Sequence, residues 1–295
     1  MGRFRGGASR HGAPKKPALT HFLCLPLVNA SSKPQLEQAL ETFRQDLTGA
    51  GPRASATSVE AGNDGSNFLP IIDTKALRPT GALHLTLGVM SLKEEQLIKA
   101  ANCLQNLDLA SILSEASPDA NQAGAREDLR ISLRGLESMH DVRKTSILYA
   151  APTDATNRLY PLCLAVQKFF EAEGFLLEDD RKLKLHATII NTIYAKARRK
   201  PNEKSVIVPS TGQSISSHSE VTSDGDPRGH GPNANAPLKF DARSIVEKYK
   251  GYIWADSIVL DRISICEMGA KKITDSSGEV VDACYTEVAS IKLSA

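Results

Sequence analysis

The sequence is poor in the features that mark the better-defined protein classes. Its five cysteines, Cys24, Cys103, Cys163, Cys266 and Cys284, are an odd number and lie far apart. They form no CxxC pair, and HExxH is missing as well, which leaves no zinc signature and no disulfide framework. The thiols are read as reduced, mostly buried and intracellular. No apolar run approaches the ~18 residues that spanning a bilayer requires, and Met1-Gly-Arg-Phe-Arg-Gly-Gly lacks the apolar core of a signal peptide. Secretion and membrane insertion are therefore disfavoured. No glycine-rich phosphate loop follows a predicted strand, so neither Rossmann nor P-loop chemistry is supported. Charge of one sign is lacking too: 36 Lys and Arg face 34 Asp and Glu, for a net charge of +2. What remains is ordinary globular composition, 41% hydrophobic over 295 residues, enough for a sizeable core.

Composition shifts divide the chain. Residues 1–17 hold Arg3, Arg5, Arg10, Lys15 and Lys16 with no acid, among glycine and proline, and are expected to be a disordered basic arm. Thr48 to Asn67 and Ser114 to Asp128 read as loops. Residues 200–237, rich in Ser, Gly, Asn and Pro, are too long for an ordinary loop and read as a disordered insertion. One domain is expected over 18–295.

Between these stretches periodicity alternates between strand and helix. Thr20 to Val28 reads as a strand, and Ser32 can cap a helix with Leu36, Leu40, Phe43 and Leu47 on one stripe. Ala82 to Leu92 is the next strand, Lys93 to Leu113 a helix, and Leu129 to Leu136 with Thr145 to Ala151 a strand pair. A second helix puts Leu162, Val166, Phe169 and Phe170 inward and stops at Gly174. Lys182 to Ile193 is a strand. After the insertion come a short helix, Ala242 to Tyr249, and two strands, Ser257 to Glu267 and Ala283 to Leu293. The order predicts an α+β fold of two similar halves with antiparallel sheets.

The informative feature is a repeated pair, Leu83-His84-Leu85-Thr86-Leu87 and Leu185-His186-Ala187-Thr188-Ile189. Side chains alternate across a strand, so His84 and Thr86 share one face and the leucines the other; His186 and Thr188 oppose Leu183, Leu185, Ala187 and Ile189. Lys184 falls on the polar face beside His186. If the halves meet across a pseudo-twofold axis, two imidazoles and two hydroxyls converge on a phosphate-sized site. One neutral imidazole could take a proton while the other gives one, both near neutrality, and the threonines could bond nonbridging oxygens. That scheme needs no metal and no cofactor.

At these residues the chain resembles the 2H phosphoesterase superfamily, and within it the A-kinase anchor protein 7-like phosphoesterase domain. Fuller matches are Thr20-His-Phe-Leu-Cys-Leu-Pro-Leu, Pro79-Thr-Gly-Ala-Leu-His-Leu-Thr-Leu-Gly-Val-Met-Ser-Leu92, Leu133-Arg-Gly-Leu136 and Leu185-His-Ala-Thr-Ile-Ile-Asn-Thr192, with Phe240-Asp-Ala-Arg243 and Glu267-Met-Gly269. The resemblance implies a bilobal fold around a central cleft. It also implies phosphodiester chemistry on nucleotides or RNA ends, such as opening 2',3'-cyclic phosphates or cleaving 2',5' linkages. The chain is similar, too, to the activating signal cointegrator 1 complex subunit 1, where the domain follows an RNA-binding KH module. Here only about seventeen residues, a basic and glycine-rich stretch, precede the domain, too few for a KH fold.

Catalytic candidates are therefore His84, Thr86, His186 and Thr188. Substrate-binding candidates are Lys184, Tyr194 and Lys196, the last two able to stack on a base and hold phosphate beyond the second motif. The first expectation is a metal-independent phosphodiesterase. The second is a nucleotide- or RNA-binding subunit of a nuclear coactivator or repair complex, holding phosphate at the same residues without turnover. The arm is a candidate nucleic-acid contact, and the expected location is nucleus or cytoplasm.

Overall fold

The computed structural model describes residues 17–48, 69–70, 72–115, 128–195 and 237–293. The arm, apart from Pro17, nearly all of the 200–237 insertion, and Lys196 lie outside these residues.

Among the described residues ten strands and five α-helices are formed: β1 (His21–Pro26), α1 (Lys33–Thr48), β2 (His84–Met90), α2 (Glu94–Gln105), α3 (Leu109–Glu115), β3 (Arg130–Ser138), β4 (Ile147–Thr153), α4 (Leu159–Ala172), β5 (Ala187–Asn191), α5 (Arg243–Lys248), β6 (Ile253–Val259), β7 (Arg262–Glu267), β8 (Lys271–Thr274), β9 (Val280–Cys284) and β10 (Glu287–Lys292). They make two four-stranded sheets, ordered β10-β7-β1-β2 and β5-β4-β3-β6, and a small β8-β9 ribbon. Every pairing is antiparallel. The α+β expectation holds.

Four predicted elements are corrected. The strand predicted over 283–293 is divided between the end of β9, in the ribbon, and β10, in the first sheet. The single helix over 93–113 is interrupted at Asn106, whose side chain and backbone N–H both bond back to the Asn102 carbonyl. The strand predicted over 257–267 is two strands in different sheets, β6 and β7, separated at Leu260 and Asp261. The strand predicted from Lys182 starts only at Ala187, so His186 precedes it. Phe169, predicted inward on α4, is exposed at 37% while Phe170 is buried. Gly174 does end that region, at φ 73°.

The two sheets are not consecutive halves of the chain. The first takes β1 and β2 from the N-terminal part and β7 and β10 from the C-terminal part. Each sheet nevertheless contains a strand–helix–strand unit, β1-α1-β2 or β4-α4-β5, in which an inner strand leads through a helix to the edge strand bearing a His-x-Thr motif. The helices exchange places: α1 packs on β6 of the second sheet, and α4 on β2 of the first, where Gln167 Nε2 donates to the Leu87 carbonyl at 2.8 Å. Among the described residues the larger core runs continuously from Leu25 and Leu85 through Phe43 and Phe170 to Leu133 and Trp254, and Phe22, Cys24 and Cys266 form a second, smaller cluster. At the second-sheet end of the larger core the Trp254 Nε1–H donates to the Gly135 carbonyl at 2.6 Å. Gly135 has φ 67°, and a Cβ there would stand 2.9 Å from the Lys250 carbonyl oxygen, so the Leu-Arg-Gly-Leu motif needs its glycine on both counts.

This arrangement brings β2 and β5, the outer strands of the two sheets, against each other. The free edge of β5 is covered by Leu77, bridged to Ile190, and by Arg78, whose N–H donates to the Ile189 carbonyl at 2.8 Å.

Candidate active site

The two motifs share more than their letters. His84 Nδ1 lies 2.8 Å from the carbonyl oxygen of Ala82, and His186 Nδ1 lies 2.7 Å from that of Lys184. A carbonyl can only accept, so Nδ1 carries the proton in both rings, and Nε2 of the neutral imidazole is left with its lone pair. Beyond each threonine the strand bulges at the same offset. Leu23 and Cys24 are consecutive on β1 but face Gly88 and Thr86, and Leu148 and Tyr149 on β4 face Ile190 and Thr188. The extra residues, Leu87 and Ile189, are both buried.

A bulge resets which side of the sheet later residues point to. Strict alternation would continue the polar faces with Gly88 and Ile190. Instead the cleft is walled by His84, Thr86 and Val89 from β2, and by Thr188 and Asn191 from β5. Phe22, Arg78, Ala82, Tyr194, Met268 and Tyr285 complete the wall of a cavity of about 200 Å³.

The structure thus places His84, Thr86, Thr188 and Tyr194 on one cavity. His186 is not part of its wall; it is half-buried, its ring edge-on to Tyr149 at 5.5 Å, and near enough for its charge to act on His84. Lys184 stands off the wall with Nζ 4.6 Å from the Tyr149 ring centre. Reading the sequence missed Arg78, Asn191 and Tyr285 as wall residues. Asn191 follows from the bulge, which alternation hides. Arg78 directly precedes a quoted motif, and Tyr285 comes from the C-terminal part, with no local signal. Phe22 is buried at 2% and also lines the cleft.

The two imidazoles differ in their surroundings. His84 is packed between Phe22, at 4.8 Å, and the edge-on ring of Tyr285, at 5.2 Å. Desolvation dominates there and takes its pKa down to about 4; the bond to Ala82 opposes this, while the charges of Arg78 and His186 add to it. His186 is also lowered, first by desolvation and then by the Lys184 charge, against its own backbone bond. Beneath the site Cys24 and Cys266 are buried with sulfurs 3.8 Å apart. Among the described residues no group of three or more His, Cys, Asp or Glu could hold a metal ion, and no helix is long and apolar enough to cross a membrane.

Comparison with known proteins places this geometry in a family. An uncharacterized protein of Schizosaccharomyces pombe is 24% identical over 212 residues, covering 71% of this chain and 76% of the yeast protein. The activating signal cointegrator 1 complex subunit 1 of Mus musculus is 29% identical over 129 residues, 42% of this chain but only 34% of the mouse protein. Among solved structures, Escherichia coli LigT complexed with 3'-AMP overlaps 94% of this chain and 99% of its own at 12% identity, with a TM-score of 0.42. A structure described as a phosphoesterase overlaps 95% of this chain and all of its own at 13% identity and a TM-score of 0.39. The sequence pattern of one family matches residues 19–285, the span that contains both edge strands, both bulges and the whole described wall of the cleft, and the chain belongs to that family, the AKAP7 2'5' RNA ligase-like domain.

Proposed function

We propose that the cleft cleaves phosphodiesters of nucleotides or RNA ends, 2',3'-cyclic or 2',5'-linked, by acid/base catalysis between His84 and His186. The observation that carries this reading is the duplicated unit: an imidazole oriented through Nδ1, a threonine two residues on, and a bulge immediately after it, on two abutting edge strands. Family membership supports it.

Burial divides the roles. His84, held neutral down to about pH 4, serves as the base, its Nε2 taking a proton from the attacking water or ribose hydroxyl. His186, less enclosed, serves as the acid that protonates the leaving oxygen once substrate has drawn it to the cleft. The hydroxyls of Thr86 and Thr188 donate to nonbridging oxygens, where charge builds up in the transition state. Tyr194, exposed at 49% on the cleft wall, offers a ring face to a base. Turnover of 2',3'-cyclic nucleotides and short 2',5'- and 3',5'-linked oligonucleotides, measured with a chelator present, tests this. Activity is expected to persist, and His84→Ala or His186→Ala to lower it by roughly 100- to 10,000-fold. Full activity in both variants would refute the assignment.

The similarity to the mouse coactivator subunit favours a second reading, in which the same residues hold a nucleotide or RNA end without turnover inside a nuclear assembly. Binding through the four motif residues with no product from any of these substrates would select it.

A further inference from the structure

Arg78 is a buried cation whose partners are not anions. It is 8% exposed. Its Nη2 donates to the Tyr285 hydroxyl at 2.9 Å, and its guanidinium lies 4.3 Å from the centre of the Tyr194 ring. Its ion-pair partner is absent among the described residues: no carboxylate comes within reach, although most arginines of the described chain have one. Withdrawing a charge from water is costly unless a countercharge meets it. Here the charge is held rigidly all the same. The Arg78 N–H is fixed on the edge of β5 at Ile189, while its side chain reaches Tyr285, just past β9, so the residue spans from one lobe to the other beside the cavity.

Apart from His84, whose Nε2 keeps its lone pair, the other polar groups of the wall are also donors or can be. The Thr86 and Thr188 hydroxyls and the Asn191 amide face the same space as the guanidinium, with no carboxylate among them. A wall of donors around an uncompensated cation fits an acceptor-rich anion.

We propose that Arg78 is the anion-recognition residue of this cleft: braced by Tyr285 and stacked under Tyr194, its guanidinium takes the phosphate of a nucleotide-type ligand and makes the site reject uncharged nucleosides. The proposal deepens the reading of the cleft as a phosphoester site and rests on it. Arg78 also lies close enough to depress His84, so an arriving phosphate that neutralises the guanidinium lifts that depression. With one face of Tyr194 against Arg78, the other is left for the base of the same ligand.

Calorimetric titration of AMP, adenosine and inorganic phosphate into the wild-type chain, Arg78→Met and Arg78→Gln tests this. Wild type is expected to prefer AMP to adenosine. Arg78→Met and Arg78→Gln should each lose about 10- to 100-fold in AMP affinity, the worth of a charge-assisted hydrogen bond, with adenosine unchanged. Arg78→Met should unfold at a temperature no lower than wild type, because it removes an unpaired buried charge. If it does not fold, Arg78→Gln, which keeps a donor for Tyr285, decides alone. An unchanged AMP-to-adenosine ratio in the folded variants would overturn the role of Arg78 while leaving the phosphate site standing. No preference for AMP in wild type would overturn the phosphoester reading itself. Phosphate binding as tightly as AMP would remove the Tyr194 face from recognition and leave Arg78 reading the anion alone.

Discussion

Lys184 sits beside His186 as Arg78 sits beside His84, yet the two cations are treated differently. Lys184 is exposed and rests over Tyr149, whose hydroxyl donates to Glu137, so water moderates its charge. Its effect on His186 is still downward. For a base at His84 and an acid at His186, kcat/KM falls as pH drops through the His84 pKa, about 4, and falls again as pH rises through the His186 pKa, which lies below the ordinary 6.5. The optimum is therefore expected on the acid side of neutrality. Lys184→Gln removes a charge that disfavours imidazolium, so the alkaline limb should move to higher pH and the acid limb stay. A pH–rate profile on a 2',3'-cyclic nucleotide checks this, and an alkaline limb that does not move would remove Lys184 from the electrostatics of the acid.

A strand edge normally invites pairing with another chain. Here the edges of β2 and β5 are spent on the site, turned by their bulges and closed by neighbouring segments. The closure is tight at Gly81, just before β2. Its N–H donates to the Asp282 carboxylate at 3.0 Å, and a Cβ would stand 2.8 Å from the Ala283 carbonyl oxygen. Since that oxygen is backbone, a side chain at Gly81 has to displace β9, which leads directly into Tyr285 and with it the brace on Arg78. Gly81→Ala is expected to cost about 1–3 kcal/mol of stability, as overpacking does, and to weaken phosphate binding as well. Thermal unfolding and AMP titration read the two effects. A destabilised variant with wild-type AMP affinity would show that β9 does not transmit to the cleft.

The exchange of α1 and α4 between the sheets ties the two lobes into one cooperative body, because neither sheet can lose its covering helix without uncovering part of the other. Trp254, the sole tryptophan, reports on the second sheet, where it packs against Phe43 of α1 at 5.1 Å. Phe170 of α4 is fully buried in the shared core. Phe170→Ala should cost about 3–5 kcal/mol and shift the Trp254 fluorescence midpoint in denaturant together with the far-UV circular dichroism midpoint. Separated transitions would show that the lobes unfold independently.

The sequence by itself determined the α+β class, most of the elements, and the two His-x-Thr pairs with their apolar opposite faces, because alternation and helical spacing are local properties of the chain. It also pointed to Tyr194, since a residue just beyond a motif strand stays near that strand's end. The tertiary structure alone decided that β6 and β7 part into different sheets, that Phe169 faces solvent, and that the polar faces continue through Val89 and Asn191. Those outcomes depend on pairing partners and bulges, which are settled between strands distant in sequence. It alone also added Arg78 and Tyr285 to the cleft. Their meeting joins residues separated by 207 positions, and only the return of the C-terminal strands to the first sheet brings them into contact.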